Sequence, residues 1–151
     1  MRLEDLPEPV IRHQDGIWRA WLAGVGGMGI GVAAAILVQA GKAHGHRVIF
    51  TDRKGMAIRN GSVFSQVLFQ PADTPPIQTI AAGQADLILG VDVLEAARAV
   101  DPRLPARAAH PTRTAAVLNL DRTSTIPGLM GRGDFDTDRL LAMIRSRTRP
   151  D

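Results

Sequence analysis

Gly24, Gly26, Gly27 and Gly29 stand between the apolar run Ile17-Trp18-Arg19-Ala20-Trp21-Leu22-Ala23 and a long uncharged stretch that begins at Ile30. A short strand that turns through glycines into a helix aims backbone amides at the space before the helix, and such amides suit an anion, above all a phosphate. The spacing of Gly24, Gly26 and Gly29 is that of a dinucleotide-binding turn, with Met28 lying inside it. Asp52 ends the next strand-like run, His46 to Asp52, where an acid would meet ribose hydroxyls. The same glycines also occur where a helix and a strand merely pack closely, and Asp52 equally suits a turn or a helix cap.

A second segment has the composition of an anion site. Arg53-Lys54-Gly55-Met56-Ala57-Ile58-Arg59-Asn60-Gly61-Ser62 carries three cations, two glycines, an Asn and a Ser, where an ordinary dehydrogenase would place a helix. Backbone amides and guanidinium forks in one loop suit phosphate or carboxylate. A solvated connection with charged tips has the same composition.

Other chemistries are thinly supplied. The chain has no cysteine, so it offers no thiolate for an iron–sulfur cluster, a zinc site or a nucleophile. His13, His44, His46 and His110 are scattered, without metal-ligand spacing, and His44 and His46 flank Gly45 in a turn. No metal site and no general acid or base is assigned. Net charge is +3, but the arginines are dispersed among acids until the tail Arg145 to Arg149, and aromatic residues are only 4% of the chain, too few for base stacking. Nucleic acid is therefore not the expected partner. Acids and prolines at Glu4, Asp5, Pro7 and Pro9 do not resemble a signal peptide, and the apolar stretch from Ile30 to Ala40 is too short to span a bilayer. The expectation is a cytoplasmic protein.

These residues need a frame. The 151 residues, 45% hydrophobic, suffice for one core. Ser62 to Phe69, Ala85 to Val91 and Ala115 to Leu120 read as further strands, with Asp73-Thr74-Pro75-Pro76 as a loop. A helix is expected from Val93 to Val100, stopped by Pro102. A last one, capped by Asp136, puts Leu140, Leu141 and Ile144 on one stripe, with Arg139, Arg145 and Arg147 outside it. The alternation predicts an α/β fold, a single doubly wound, Rossmann-like open sheet, mostly parallel, with the glycine-rich turn after its first strand. The helix from Ile30 to Gly41 has Gln39 as its only polar side chain, so it needs cover on both sides, with a partner protein the favoured outer cover.

The glycine turn, the block from Lys54 to Val63 with Ser65, the run Ala85 to Gly90 and Leu94-Glu95-Ala96 resemble the gamma subunit or domain of the 2-oxoacid:ferredoxin oxidoreductases. Arg122 and the stretch from Ile126 to Phe135 share the likeness, which spans roughly residues 18 to 145. The resemblance implies a non-catalytic member of a complex that oxidatively decarboxylates a 2-oxo acid to an acyl-CoA and passes electrons to ferredoxin or a similar acceptor. It implies partner subunits holding thiamine diphosphate with magnesium and iron–sulfur (4Fe-4S) clusters, with coenzyme A reaching the shared active site. Carried over, Gly24, Gly26, Gly27, Met28 and Gly29 shape the turn. Lys54, Gly55, Arg59, Asn60, Gly61 and Ser62 form the loop toward the partner active site or the coenzyme A phosphates. Met28 and the Arg59-Asn60 pair look nearer to the indolepyruvate or aryl-2-oxoacid branch than to the pyruvate branch.

Residues 1–16 are expected to be an N-terminal extension and 17–151 the gamma-type domain. Family members continue with a further strand and helix, so either the domain is shortened here or the remainder lies on another polypeptide. Two alternatives stay open. One is a free-standing NAD(P)-binding protein using Asp52, and the other is a ligand-free structural assembly subunit.

Overall fold

The computed structural model describes residues 16–55, 61–104, 107–121 and 125–150. Most of the expected N-terminal extension, together with Met56 to Asn60 and Arg122, lies outside them. The elements run β1 (Trp18–Val25), α1 (Ile30–Ala43), β2 (Arg47–Lys54), β3 (Ser62–Gln70), β4 (Leu87–Gly90), α2 (Val93–Val100), β5 (Ala115–Leu118), α3 (Ile126–Leu129) and α4 (Thr137–Arg147). Only α3, a single turn, has no counterpart among the elements expected from the sequence.

The sheet order is β2-β3-β1-β4-β5. β1 pairs parallel with β4 and β4 parallel with β5, whereas β3 is antiparallel to both β1 and β2. The α/β class therefore holds, but the sheet is mixed and not mostly parallel, with its ladders among the described residues divided evenly between the two kinds. The cause lies in residues 55–61. Two parallel neighbours need a crossover of roughly a dozen residues or more, and this shorter connection permits only a return beside the strand just left. β3 thereby inserts between β2 and β1.

Alternation along the strands fills two layers. Ala20 and Leu22 of β1 and Val67 of β3 meet Ile30 and Ala34 of α1 on one face. On the other face, Trp21, Ala23 and Leu68 meet Val93, Ala96, Ala97 and Val100 of α2 and Ile144 of α4. Trp21 stacks on Phe64 at 4.6 Å between ring centres, and Trp18 lies on Phe69 at 4.9 Å. The expected α4 stripe is present, capped by Asp136, whose Oδ1 accepts from the Arg139 amide at 3.1 Å. Gly41 lets α1 approach the sheet, since a Cβ there would sit 2.6 Å from the Phe69 ring.

The outer face of α1 is not covered within the described residues: Val32 is 66% and Ile36 64% exposed. Among the described residues, no helix covers the flank of β3 at Gln66 and Gln70 on the α2 face. Instead these two buried glutamines bind the irregular segment after β3, Gln66 accepting from the Ile80 amide at 2.7 Å and Gln70 from the Ile77 amide at 2.9 Å. Among the described residues no helix is long and apolar enough to cross a membrane.

Asp101 ends α2 and accepts from Arg103 through its backbone amide, Nε and Nη2, the last at 2.7 Å. These hydrogen bonds, the side-chain one first, hold its carboxyl down from 3.8 to about 2. A carboxyl depressed on folding stabilises the native state above the unfolded value, and the contribution fades as pH falls through the folded one. Asp101→Asn is thus expected to lower the melting temperature at neutral pH, with a loss that shrinks steadily below pH 3.8 toward about pH 2. Thermal melts across that range measure it.

Candidate functional site

β1 and β4 are parallel neighbours whose following helices leave to opposite faces, α1 to one and α2 to the other. Where successive crossovers diverge in this way, the carboxyl ends of the two strands part and leave a crevice. The glycine turn sits at its mouth. Gly27 and Gly29 adopt φ of 96° and 81°, a left-handed conformation that costs an L side chain about 1–2 kcal/mol. Gly29 is also the N-cap of α1, and no side chain caps the helix there. The first-turn amides of α1 are consequently donors without a side-chain acceptor, the arrangement that holds anions at helix starts. Gly24 serves packing instead, since a Cβ on it would meet Ile30 Cδ1 at 2.7 Å and Val91 Cβ at 3.3 Å. Its bareness permits the close approach of turn, helix and β4.

The β2–β3 hairpin brings the second segment to the same place. In the ladders Val25 lies opposite Ser62 and Lys54 opposite Val63. The Gly55 amide donates to the Ser62 carbonyl at 2.7 Å, closing the loop, and the Gly26 amide donates to the Gly61 carbonyl at 2.9 Å, tying loop to turn. Gly24, Gly26, Gly27, Met28, Gly29, Gly55, Gly61 and Ser62 are thus gathered at one end of the sheet. The backbone of Lys54 ends β2, while its side chain, Arg59 and Asn60 lie outside the described residues.

Ser62 makes a contact that the sequence does not foretell. Its hydroxyl donates to Glu95 Oε2 at 2.5 Å across the α2 face of the sheet. Glu95 Oε1 is 3.3 Å from Arg98 Nε, and the Glu95 side chain is only 9% exposed. In the sequence Glu95 stands out only as part of a motif. Asp92 caps α2 through the Glu95 amide at 3.0 Å, so Asp92-x-x-Glu95 has the spacing of a capping box, which gives the glutamate a local purpose and hides its long-range one.

Asp52 is displaced from the crevice. It pairs opposite Ser65, whose hydroxyl donates to Asp52 Oδ1 at 3.0 Å. With β3 between β2 and β1, its strand lies two spacings from the glycine turn, about 10 Å in a sheet. A ribose held against the turn would not meet it as in a parallel dinucleotide fold. His44, His46 and His110 lie toward the opposite end of the sheet, with His46 stacked on Phe69 at 5.6 Å. Asn119 follows β5 and extends its pairing with β4, its amide donating to Gly90 O at 2.7 Å. Among the described residues no three His, Cys, Asp or Glu cluster as metal ligands. The groups that do converge are backbone amides, a hydroxyl and a carboxylate paired with Arg98.

Two solved structures are similar to this chain. A pyruvate oxidoreductase subunit, PORC, from Thermotoga maritima superposes with a TM-score of 0.50 at 12% identity, over 78% of this chain and 57% of that one. The gamma subunit of a keto/oxoacid ferredoxin oxidoreductase from Geobacter sulfurreducens gives 0.44 at 20% identity, over 67% of this chain and 50% of its own. The chain thus spans about half the length of these two structures. No curated protein matches it in sequence. Residues 19–129, which include the glycine turn, the hairpin and α2, match the pyruvate ferredoxin/flavodoxin oxidoreductase family, and the chain belongs to that family.

Proposed function

We propose that this chain is the non-catalytic gamma subunit of a multi-subunit 2-oxoacid:ferredoxin oxidoreductase, in which the glycine turn and the adjoining hairpin loop face the partner active site and the phosphates of coenzyme A. The observation that carries the reading is the tie between Gly26 and Gly61, which sets an uncapped helix start beside the base of a loop whose sequence holds Lys54, Arg59 and Asn60. Family membership supports the rest. Partner subunits supply thiamine diphosphate, magnesium and iron–sulfur clusters, and the cysteine-free chain contributes positioning and a binding surface. The open, apolar outer face of α1 fits a subunit meant to be covered in the assembly. An indolepyruvate or other aryl-2-oxo acid is the proposed substrate class, and ferredoxin or a comparable carrier the acceptor. The cytoplasm is the proposed location of the assembly.

Co-purification from the native source tests this directly. The expected result is a thiamine-dependent partner with cysteine clusters, and decarboxylation in which Lys54→Ala or Arg59→Ala raises the KM for coenzyme A. Recovery of the chain alone, with micromolar NADH binding lost in Asp52→Ala, would replace the reading by a free-standing dinucleotide-binding protein.

A further inference from the structure

We infer that Glu95 is a positioning residue that clamps the base of the hairpin loop to α2 and thereby fixes where the loop meets the glycine turn. What the loop binds is taken from the function proposed above; the clamp itself stands on geometry. Three bonds converge on two adjacent residues. The Gly61 carbonyl accepts from Gly26, the Ser62 carbonyl accepts from Gly55, and the Ser62 hydroxyl donates to Glu95 Oε2 at 2.5 Å. The first two join loop to turn and loop to itself. The third reaches out of the hairpin to a helix layered on the sheet.

The surroundings argue that the carboxylate is there for this contact. Along α2, Val93, Ala96, Ala97, Ala99 and Val100 are buried, and a small apolar residue at 95 would continue that surface. A carboxylate taken out of water is costly unless it is hydrogen-bonded and paired. Arg98 gives partial neutralisation, but its side chain is 58% exposed and its charge largely solvated. In a capping box, the glutamate would turn back to the N-cap amide. Here its Oε2 is directed across to β3. A charge-assisted bond from a hydroxyl is short and directional, so it fixes the angle at which Ser62 and Gly61 leave the sheet.

Hydrogen exchange, followed by mass spectrometry on the chain together with the subunits that purify with it, tests the clamp. Peptides spanning Gly26 and Gly55 report the two bonds at the loop base. Ser62→Ala and Glu95→Ala are each expected to speed exchange in both peptides about ten-fold, the scale of one lost hydrogen bond to a charged group, and the double variant no further. Glu95→Gln keeps an oxygen that accepts from Ser62 and should retain most of the protection, while peptides of α4 stay unchanged. Should Glu95→Ala fail to fold, Ser62→Ala, which removes only a half-buried hydroxyl, carries the same test. Unchanged exchange in Ser62→Ala, acceleration spread equally over α4, or Glu95→Gln exchanging as fast as Glu95→Ala would each overturn the proposal. In the same preparations the KM for coenzyme A should rise with kcat held. Faster exchange with an unaltered KM would uphold the clamp and sink the coenzyme A reading instead.

Discussion

Asp86→Ala is expected to cost the chain about 3–5 kcal/mol, the range for removing one partner from a buried ion network. Asp86 immediately precedes β4 and lies between two arginines at the starts of the neighbouring strands. Its Oδ1 accepts from Arg113 Nε at 2.7 Å, and its Oδ2 accepts from the Arg19 amide at 2.8 Å and lies 3.9 Å from Arg19 Nη1. All three side chains are largely out of water: Arg19 is 5%, Asp86 11% and Arg113 12% exposed. The backbone is tied at the same point, with the Asp86 amide donating to Arg19 O and the Ala115 amide to Asp86 O, each at 2.9 Å. The carboxylate therefore balances two cations at the start of three adjacent strands. Removing it leaves both guanidinium groups without their shared anion in a poorly solvated place, where charges interact strongly. Urea unfolding reads the loss as a lower midpoint at constant slope. Adding Arg113→Met to Asp86→Ala should recover a substantial part, because taking out a cation together with the anion avoids the charge imbalance that removing the anion alone creates. A midpoint unchanged in Asp86→Ala would show that the network is solvated and of little weight.

Much of this architecture is visible in the residues themselves, and the exceptions have identifiable causes. β1, α1, α2 and α4 announce themselves through their apolar runs, the glycine turn before Ile30, the stop at Pro102 and the cap at Asp136. The same residues disclose the glycine turn. The direction of β3 is harder, because a β-rich run looks alike read either way. The clue is the brevity of residues 55–61, which leaves no room for a crossover helix. Once β3 is reversed, the base of the hairpin loop must lie beside the glycine turn, and Asp52 must lie away from it. Local pattern cannot show either fact, since both depend on which strand is inserted next to β1. Asp86 is concealed inside an apolar run, where its charge reads as an interruption. Glu95 is concealed by a capping spacing that accounts for it too easily.

Gly90→Ala is the substitution expected to damage the site most through packing alone, by about 2–3 kcal/mol of overpacking. Gly90 ends β4 directly below α2. A Cβ there would lie 2.6 Å from Ala96 Cβ and 2.7 Å from Leu118 Cδ2. Leu118 has a rotamer to give, but Ala96 has none, and its position is set by the helix backbone. Relief therefore requires α2 to lift from the sheet, held down as it is by α4 packed against it. Gly24→Ala makes an instructive contrast. Its nearest obstacle, at 2.7 Å, is the terminal Cδ1 of Ile30, which swings aside, so a loss near ~1 kcal/mol or less is expected. The first glycine of the turn is thus the more replaceable of the two, although it belongs to the dinucleotide-type spacing and Gly90 does not. Because α2 carries Glu95, lifting it also stretches the bond to Ser62, and exchange in the peptide spanning Gly26 should quicken in Gly90→Ala but hardly in Gly24→Ala. Ala96→Gly in the Gly90→Ala background removes the obstructing methyl at a helix-propensity cost of about 1 kcal/mol, and should restore most of the unfolding midpoint and the protection of Gly26. If Gly90→Ala proves no more harmful than Gly24→Ala, α2 yields freely, and a helix that yields freely cannot serve as the fixed post to which the loop is clamped.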